Sequence, residues 1–313
     1  MRVLPSQEFI EDLYNPYTGS TDLVVRDGSV VDTTGNQEFR ITDGIIEFSG
    51  FDEVDEHKKR EISYTFEYKD EEKIKLQLAK HTWSSYYNYF QTGKFKRILG
   101  LIRRCGGDEF AVMGCGSGYD IGQLIVQGAS PRRIYASDLS IHSVRIVPHQ
   151  LRQFGYSGEL ALFTSDLDFV PIRSRKVPVI VFEALHHTPE MHHSIDKLLA
   201  YGYDNVIFVE PTNNMVIRWL ARRGLAQRIE YSGLKPGRLE LDRLRRMAET
   251  HGYDLSIRTL WEFPEDYFRR LPGNRSRLVE WAFLRALSVW SAISNIAKFG
   301  NMSIVHLTRK TAD

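Results

Sequence analysis

Three glycines at alternate positions, Gly114, Gly116 and Gly118, follow a short apolar run from Phe110 to Met113. An apolar run that breaks into glycine reads as a buried strand ending in a tight turn, with a helix starting straight after it. Glycine is needed where the backbone takes a positive φ or where a ligand lies against bare main chain. The G-x-G-x-G spacing fits neither the G-x-G-x-x-G of dinucleotide-binding turns nor the Gly-Lys-Ser/Thr ending of a P-loop. The next strand, expected over 133–137, is closed by Asp138. An acid at that place, about twenty residues beyond the glycines, accepts from two adjacent ribose hydroxyls at once. A third strand, expected over 159–164, runs into Thr164-Ser165-Asp166-Leu167. There a second acid can accept from the exocyclic amine of adenine while the leucine covers the ring. The three segments together point to a nucleoside ligand.

These segments, in this order, resemble a known family. Gly114-Cys115-Gly116-Ser117-Gly118, Asp138, Ser165-Asp166-Leu167-Asp168-Phe169-Val170-Pro171 and Val181-Phe182-Glu183-Ala184-Leu185-His186-His187-Thr188-Pro189 are similar to the motifs of class I S-adenosylmethionine (SAM)-dependent methyltransferases. The nearest group is the one holding the ubiquinone/menaquinone methyltransferases and many small-molecule O- and N-methyltransferases. The resemblance covers roughly 80–310. It implies SAM as cofactor and a Rossmann-like α/β fold with a seven-stranded sheet whose last strand is antiparallel. It also implies cofactor contacts at Gly114, Gly116, Gly118, Asp138, Leu139, Asp166, Leu167 and Glu183. Glu183, at the carboxyl edge of the fourth strand, is read as a contact for the ammonium group or for the acceptor, against the alternative of a solvated loop acid.

Methyl transfer from a sulfonium is an in-line displacement, so the protein's main task is to align donor and nucleophile. A base helps where the nucleophile carries a proton. His186 and His187 are the candidates, since a histidine poised near neutral pH can deprotonate a hydroxyl. With His192 and His193 they make two pairs in eight residues. Adjacent histidines rarely converge, and no acid cluster completes a ligand set, so no metal is expected. Glu210-Pro211-Thr212-Asn213-Asn214 is expected at the pocket rim, with Asn213 or Asn214 either orienting a substrate hydroxyl or capping a helix.

The elements that must position these residues follow from periodicity. Helices are expected over 118–128, 141–154, 190–201 and 237–251, and strands over 133–137, 159–164, 178–183, 205–210, 254–260 and 302–307. Alternating strands and helices imply right-handed crossovers and a parallel sheet covered on both faces. Residues 110–313 are thus read as the SAM-binding domain. The stretch 51–109 reads as a helical linker and entry helix, with an aromatic cluster at Trp83, Tyr86, Tyr87, Tyr89 and Phe90 that packs on the sheet edge or closes over the cofactor. A helical insertion, 262–300, is apolar, but Glu280, Arg285, Asn295 and Lys298 argue against a membrane span. It is read as a lid, a dimer surface or an interfacial helix, with the first two favoured.

Residues 1–50 read as a small β-rich module with turns at Gly19, Gly28, Gly35 and Gly44. They resemble the zinc-ribbon-like domain of methyltransferase activator proteins. Where zinc-binding relatives carry two C-x-x-C pairs, this chain has Asn15, Thr18, Asp32 and Gly35, which cannot form a thiolate site. Such a module must hold itself by packing.

Composition bounds the rest. At 313 residues the chain is long enough for one large domain, or one plus a small one. A net charge of +1 gives no bulk footprint for nucleic acid. Two cysteines, Cys105 and Cys115, build no disulfide framework. The N-terminus lacks a signal-peptide core, so the cytoplasm is the expected compartment. The expectation is a methyltransferase acting on oxygen or nitrogen of a small-molecule acceptor, with a homodimer left open. An RNA- or protein-modifying enzyme, and a non-catalytic SAM-binding scaffold of the same fold, are the alternatives.

Overall fold

In the computed structural model the described residues are 1–35, 37–49, 56–65, 85–223, 237–262 and 277–310. The centre is a parallel sheet. Strands β6 (Glu109–Met113), β7 (Arg133–Asp138), β8 (Glu159–Thr164), β9 (Val179–Phe182) and β10 (Asn205–Pro211) lie in the order β10-β9-β6-β7-β8 and pair in parallel. The order reverses at β6, which puts the topological switch point at the glycine turn. Strand β12 (Met302–Arg309) runs antiparallel between β10 and β11 (Tyr253–Leu260). The Rossmann-like α/β architecture and the antiparallel last strand agree with the expectation.

Every central strand is buried on both faces, and its alternate residues enter two separate cores. Ala111, Met113, Tyr135, Phe163, Val181 and Phe208 point to one core, with Ile195 and Leu198 of α6 (Met191–Ala200) and Leu244 and Ala248 of α8 (Leu241–Thr250). Phe110, Val112, Ile134, Leu162, Ile180 and Val209 point to the other. That second layer is built from Phe95, Ile98 and Ile102 of α3 (Ser85–Arg104), Ile121 and Leu124 of α4 (Tyr119–Val126), and Val144 and Val147 of α5 (Ile141–Gln153). Burial on both faces explains why these strands are continuous apolar runs rather than alternating ones. Trp83 lies outside the described residues, as do 263–276 of the insertion.

The first fifty residues join the edge of the central sheet. Strands β2 (Leu23–Arg26), β3 (Ser29–Asp32), β4 (Gln37–Thr42) and β5 (Ile45–Glu47) form an antiparallel meander. Strand β5 then pairs in parallel with β8, Ile46 opposite Phe163. The two-residue β1 (Arg2–Val3) pairs with β8 as well. The meander therefore extends the central sheet, and Val30, Phe39 and Phe48 share a core with Phe163 and Ile172. An edge-to-edge pairing of this kind leaves no trace in local sequence.

At the outer end of the meander, Asn15, Thr18, Asp32 and Gly35 converge on one carboxylate. Asp32 Oδ2 accepts from Asn15 Nδ2 at 2.6 Å and the Thr18 hydroxyl at 2.9 Å. Its Oδ1 accepts from the amides of Thr34 and Gly35, at 3.0 and 2.9 Å, and from the Thr34 hydroxyl at 2.9 Å. A Cβ on Gly35 would sit 2.5 Å from Oδ2, so only glycine fits. Burial pushes the Asp32 carboxyl up, but the Gly35 amide and the donors of Asn15, Thr34 and Ser20 outweigh it and hold the group well below the usual carboxylate range. A carboxyl lowered on folding contributes stability above its unfolded pKa, which is lost as pH falls toward the folded value. Asp32→Ala is expected to cost about 1–3 kcal/mol, since it strands the buried Asn15 amide and releases the exposed donors of Thr18, Thr34 and Gly35 to water. Urea melts of wild type and Asp32→Asn should converge as pH drops below about 4; parallel curves at all pH values would refute the account.

Candidate functional site

The carboxyl ends of β6, β7, β8 and β9 open into a cavity of about 440 Å³. Gly114 takes φ +64°, and a Cβ there would meet the Ala184 Cβ at 2.5 Å, so the turn closes against the end of β9 only with glycine. Gly116 takes φ +52° with open space above it. Its amide donates to Asp138 Oδ2 at 2.9 Å, and the Ser140 amide donates to Oδ1 at 3.0 Å. Asp138 thereby locks the glycine turn to the end of β7, and it lines the cavity.

Gly114, Gly116, Asp138, Leu139, Asp166, Leu167 and Glu183 all line this one cavity. Gly118 does not. It sits at φ +82° on the N-terminus of α4, where a Cβ would lie 3.1 Å from Val147, so it serves helix packing. Cys115 also lines the cavity; burial pushes its thiol well up and leaves it a small apolar filler. Beside Asp138, the Ser143 hydroxyl lines the cavity, is fully buried, and has no hydrogen-bond partner among the described residues.

The two histidine candidates stack, ring centroids 4.1 Å apart, but only one of them lines the cavity. His187 lines the cavity together with Thr188 and Pro189. His186 is buried behind it, its Nδ1 2.8 Å from Glu210 Oε2. Glu210 is fully buried rather than at a rim, and its Oε1 accepts from the amides of Ala184 and Leu185 at 3.0 and 2.8 Å. His186 and Glu210 thus brace the turn that presents His187. Asn214 takes the capping role: Oδ1 accepts from the Ile217 amide at 3.0 Å at the start of α7 (Met215–Arg222). Asn213 and Asn214 do not line the cavity. His192 Nε2 accepts from the Glu240 amide at 3.1 Å and His193 is exposed, so the four histidines do not converge. Among the described residues no group of three or more His, Cys, Asp or Glu side chains is placed to hold a metal ion.

Several cavity residues carry no motif. Lys94 of α3 is buried, its Nζ 2.8 Å from Glu183 Oε1 and 3.0 Å from Glu262 Oε1. Gln91, one turn earlier, donates through Nε2 to the same Glu262 carboxylate. Burial pushes the Lys94 ammonium down, but Glu183, Glu262 and Asp120 outweigh it and hold it well above its ordinary value. Burial pushes the Glu262 carboxyl up, against the pull of Lys94. Glu183 holds a left-handed backbone, φ +48°, rare for a residue with a Cβ and worth strain of about 1–3 kcal/mol. At the other end, Lys58 of α2 (Glu56–Thr65) pairs with Asp166, and Ile62 of the same helix lines the cavity. A polar pair on an otherwise apolar stripe (Gln91 and Lys94 ahead of Phe95, Ile98 and Ile102) was the available signal for the α3 residues.

No protein-family model and no curated protein matches this chain. Solved structures do match. Magnesium protoporphyrin IX methyltransferase (ChlM) from Synechocystis PCC 6803, solved with bound SAM, superposes with a TM-score of 0.50 at 13% identity, over 82% of this chain and 99% of that one. The YcgJ protein from Bacillus subtilis matches with a TM-score of 0.44 at 12% identity, over 68% and 98%. On the likeness to ChlM, the chain adopts the class I methyltransferase fold.

Removing the ammonium at the centre of the Lys94 cluster should expose its charge balance. Lys94→Met is expected to cost about 2–3 kcal/mol, toward the low end for a broken buried pair because Glu183 is partly exposed. The cost should grow as pH rises through the raised range of Glu262 and shrink where that carboxyl is neutral. Lys94→Met with Glu262→Gln should recover most of it in thermal melts; no recovery would show that Glu262 is not the opposing charge.

Proposed function

We propose that this chain is a SAM-dependent methyltransferase that transfers a methyl group to oxygen or nitrogen of a small-molecule acceptor. One observation carries the reading: a glycine turn, Asp138 and Asp166-Leu167 meet in one cavity at the switch point of this fold. The space suits a nucleoside ligand, since pockets of about 300–1,000 Å³ are typical of small-molecule sites. The orphan Ser143 hydroxyl beside Asp138 is a further call for a polar ligand there.

In this reading Asp138 takes the two ribose hydroxyls, pre-aligned by the amides of Gly116 and Ser140. Asp166 takes the adenine amine after exchanging Lys58, and Leu167 covers the ring. Gly114 leaves bare backbone beside the amino-acid portion, which Lys94 and Glu183 meet with one charge of each sign. When bound, SAM supplies a methyl group activated by its sulfonium. The residues around it hold the acceptor in line and keep water out. His187, rather than His186, is the base for an acceptor that must lose a proton. The resemblance of 1–50 to a zinc-ribbon module is read here as a metal-free form, with the Asp32 carboxylate standing where thiolates and ion would be.

Calorimetry with S-adenosylhomocysteine tests the reading directly. Micromolar or tighter binding is expected for wild type, weakened by about 1–3 kcal/mol in Asp138→Ala. Absence of binding by either SAM or S-adenosylhomocysteine to the folded wild type would overturn it.

A further inference from the structure

Helix α9 (Arg277–Ala297) is fixed on one side and bare on the other. Its inner side is tied to β11 and the segment after it: Trp261 Nε1 donates to Ser294 Oγ at 2.6 Å, and the Thr259 hydroxyl and amide donate to Ser294 O and Asn295 Oδ1 at 2.9 and 3.1 Å. Ser288 meets Tyr89 of α3, the helix that carries Gln91 and Lys94 to the cavity. The outer side exposes Leu278, Trp281, Val289, Ile293 and Ile296, the last at 82%, and at its edge the half-exposed Trp290 packs on Trp261 and Phe299. Its only described charge is Arg285, whose guanidinium lies over the Trp281 ring at 5.6 Å. A surface helix ordinarily turns its polar face to water; this one turns an apolar face about 30 Å long. Folded monomers rarely leave so large an apolar strip uncovered.

A second helix repeats the pattern where α9 ends. Helix α7 begins beside the C-terminal end of α9, with Asn214 Nδ2 donating to Gly300 O at 2.8 Å. It exposes Met215 and Trp219 among Arg218, Arg222 and Arg223, and Arg223 lies over the Trp219 ring at 5.1 Å. The described, exposed charges of these two helices are all cations. A second copy of this chain would bring two faces of the same sign together, with no described acid to answer the arginines. The matching surface is apolar within and anionic at its face. No helix among the described residues is long and apolar enough to cross a membrane. A face that joins aromatic and aliphatic residues to arginines, here Arg285 on one helix and Arg218 and Arg222 on the other, instead lies in the plane of the headgroups.

We infer that the outer faces of α9 and α7 form a docking surface for an anionic lipid membrane. Tryptophans sit at the headgroup level, the aliphatic residues enter the acyl boundary, and the arginines pair with lipid phosphates. The inference does not depend on the cofactor reading, and its test uses neither SAM nor an acceptor.

The test is co-flotation of the full chain with vesicles of phosphatidylcholine mixed equally with phosphatidylglycerol, against phosphatidylcholine alone. Binding is expected to the mixed vesicles, falling as salt is raised, with a blue shift of tryptophan emission. Ile293→Glu with Ile296→Glu should reduce flotation about tenfold or more with an unchanged melting temperature, because both side chains are exposed. Arg285→Glu should weaken binding to the mixed vesicles more than to the neutral ones. The proposal is overturned if the wild type does not float with anionic vesicles, or if the double variant floats as well as wild type. It is equally overturned if light scattering shows a wild-type dimer that the double variant abolishes, which assigns the face to a second copy.

Discussion

The carboxylate of Asp138 ends β7 and accepts the amides of both Gly116 and Ser140. Through it, the turn after β6 and the turn after β7 are held as one piece. Two amides that would otherwise point into the cavity unpaired are satisfied by a charged acceptor, the stronger kind of hydrogen bond. The floor of the cavity is therefore tied together by its own hydrogen bonds. Positive φ at Gly114 and Gly116, and the close approach of Ala184, are what allow the turn to reach that carboxylate.

Around this floor the walls are balanced by charge delivered from outside the central sheet. Lys94 comes from α3 and Lys58 from α2, and each meets a carboxylate at or near the end of a central strand. Glu183 and Asp166 are thus neutralised by helices that precede the sheet in sequence. Beneath the opposite wall, Glu210 collects two backbone amides and His186, which stiffens the turn carrying His187. The recurring device is a buried or half-buried carboxylate that fixes a loop by taking its amides, at Asp32, Asp138 and Glu210 alike.

Much of the fold is legible in the sequence because the strands are buried on both faces and read as unbroken apolar runs. The glycine turn and the acids that end strands are legible for a different reason: their chemistry is tied to a topological position. Other features depend on contacts that local pattern does not encode. Pairing of β5 with β8 rests on two residues. Gly118 looks like its neighbours in the string but packs on Val147. His186 and His187 are adjacent, yet one step around a single-turn helix sends one to Glu210 and the other to the cavity. Lys94 and Glu262 meet across 168 positions of chain, so neither announces the other.

The knot at Asp32 is made from amides, hydroxyls and a carboxylate. None of these groups has an affinity for a soft ion that a chelator could contest, and none is converted by peroxide as a thiolate is. That corner of the sheet can assemble during synthesis without waiting for delivery of an ion. It should endure EDTA and oxidant alike, in a cell starved of transition metals as well as in one replete with them.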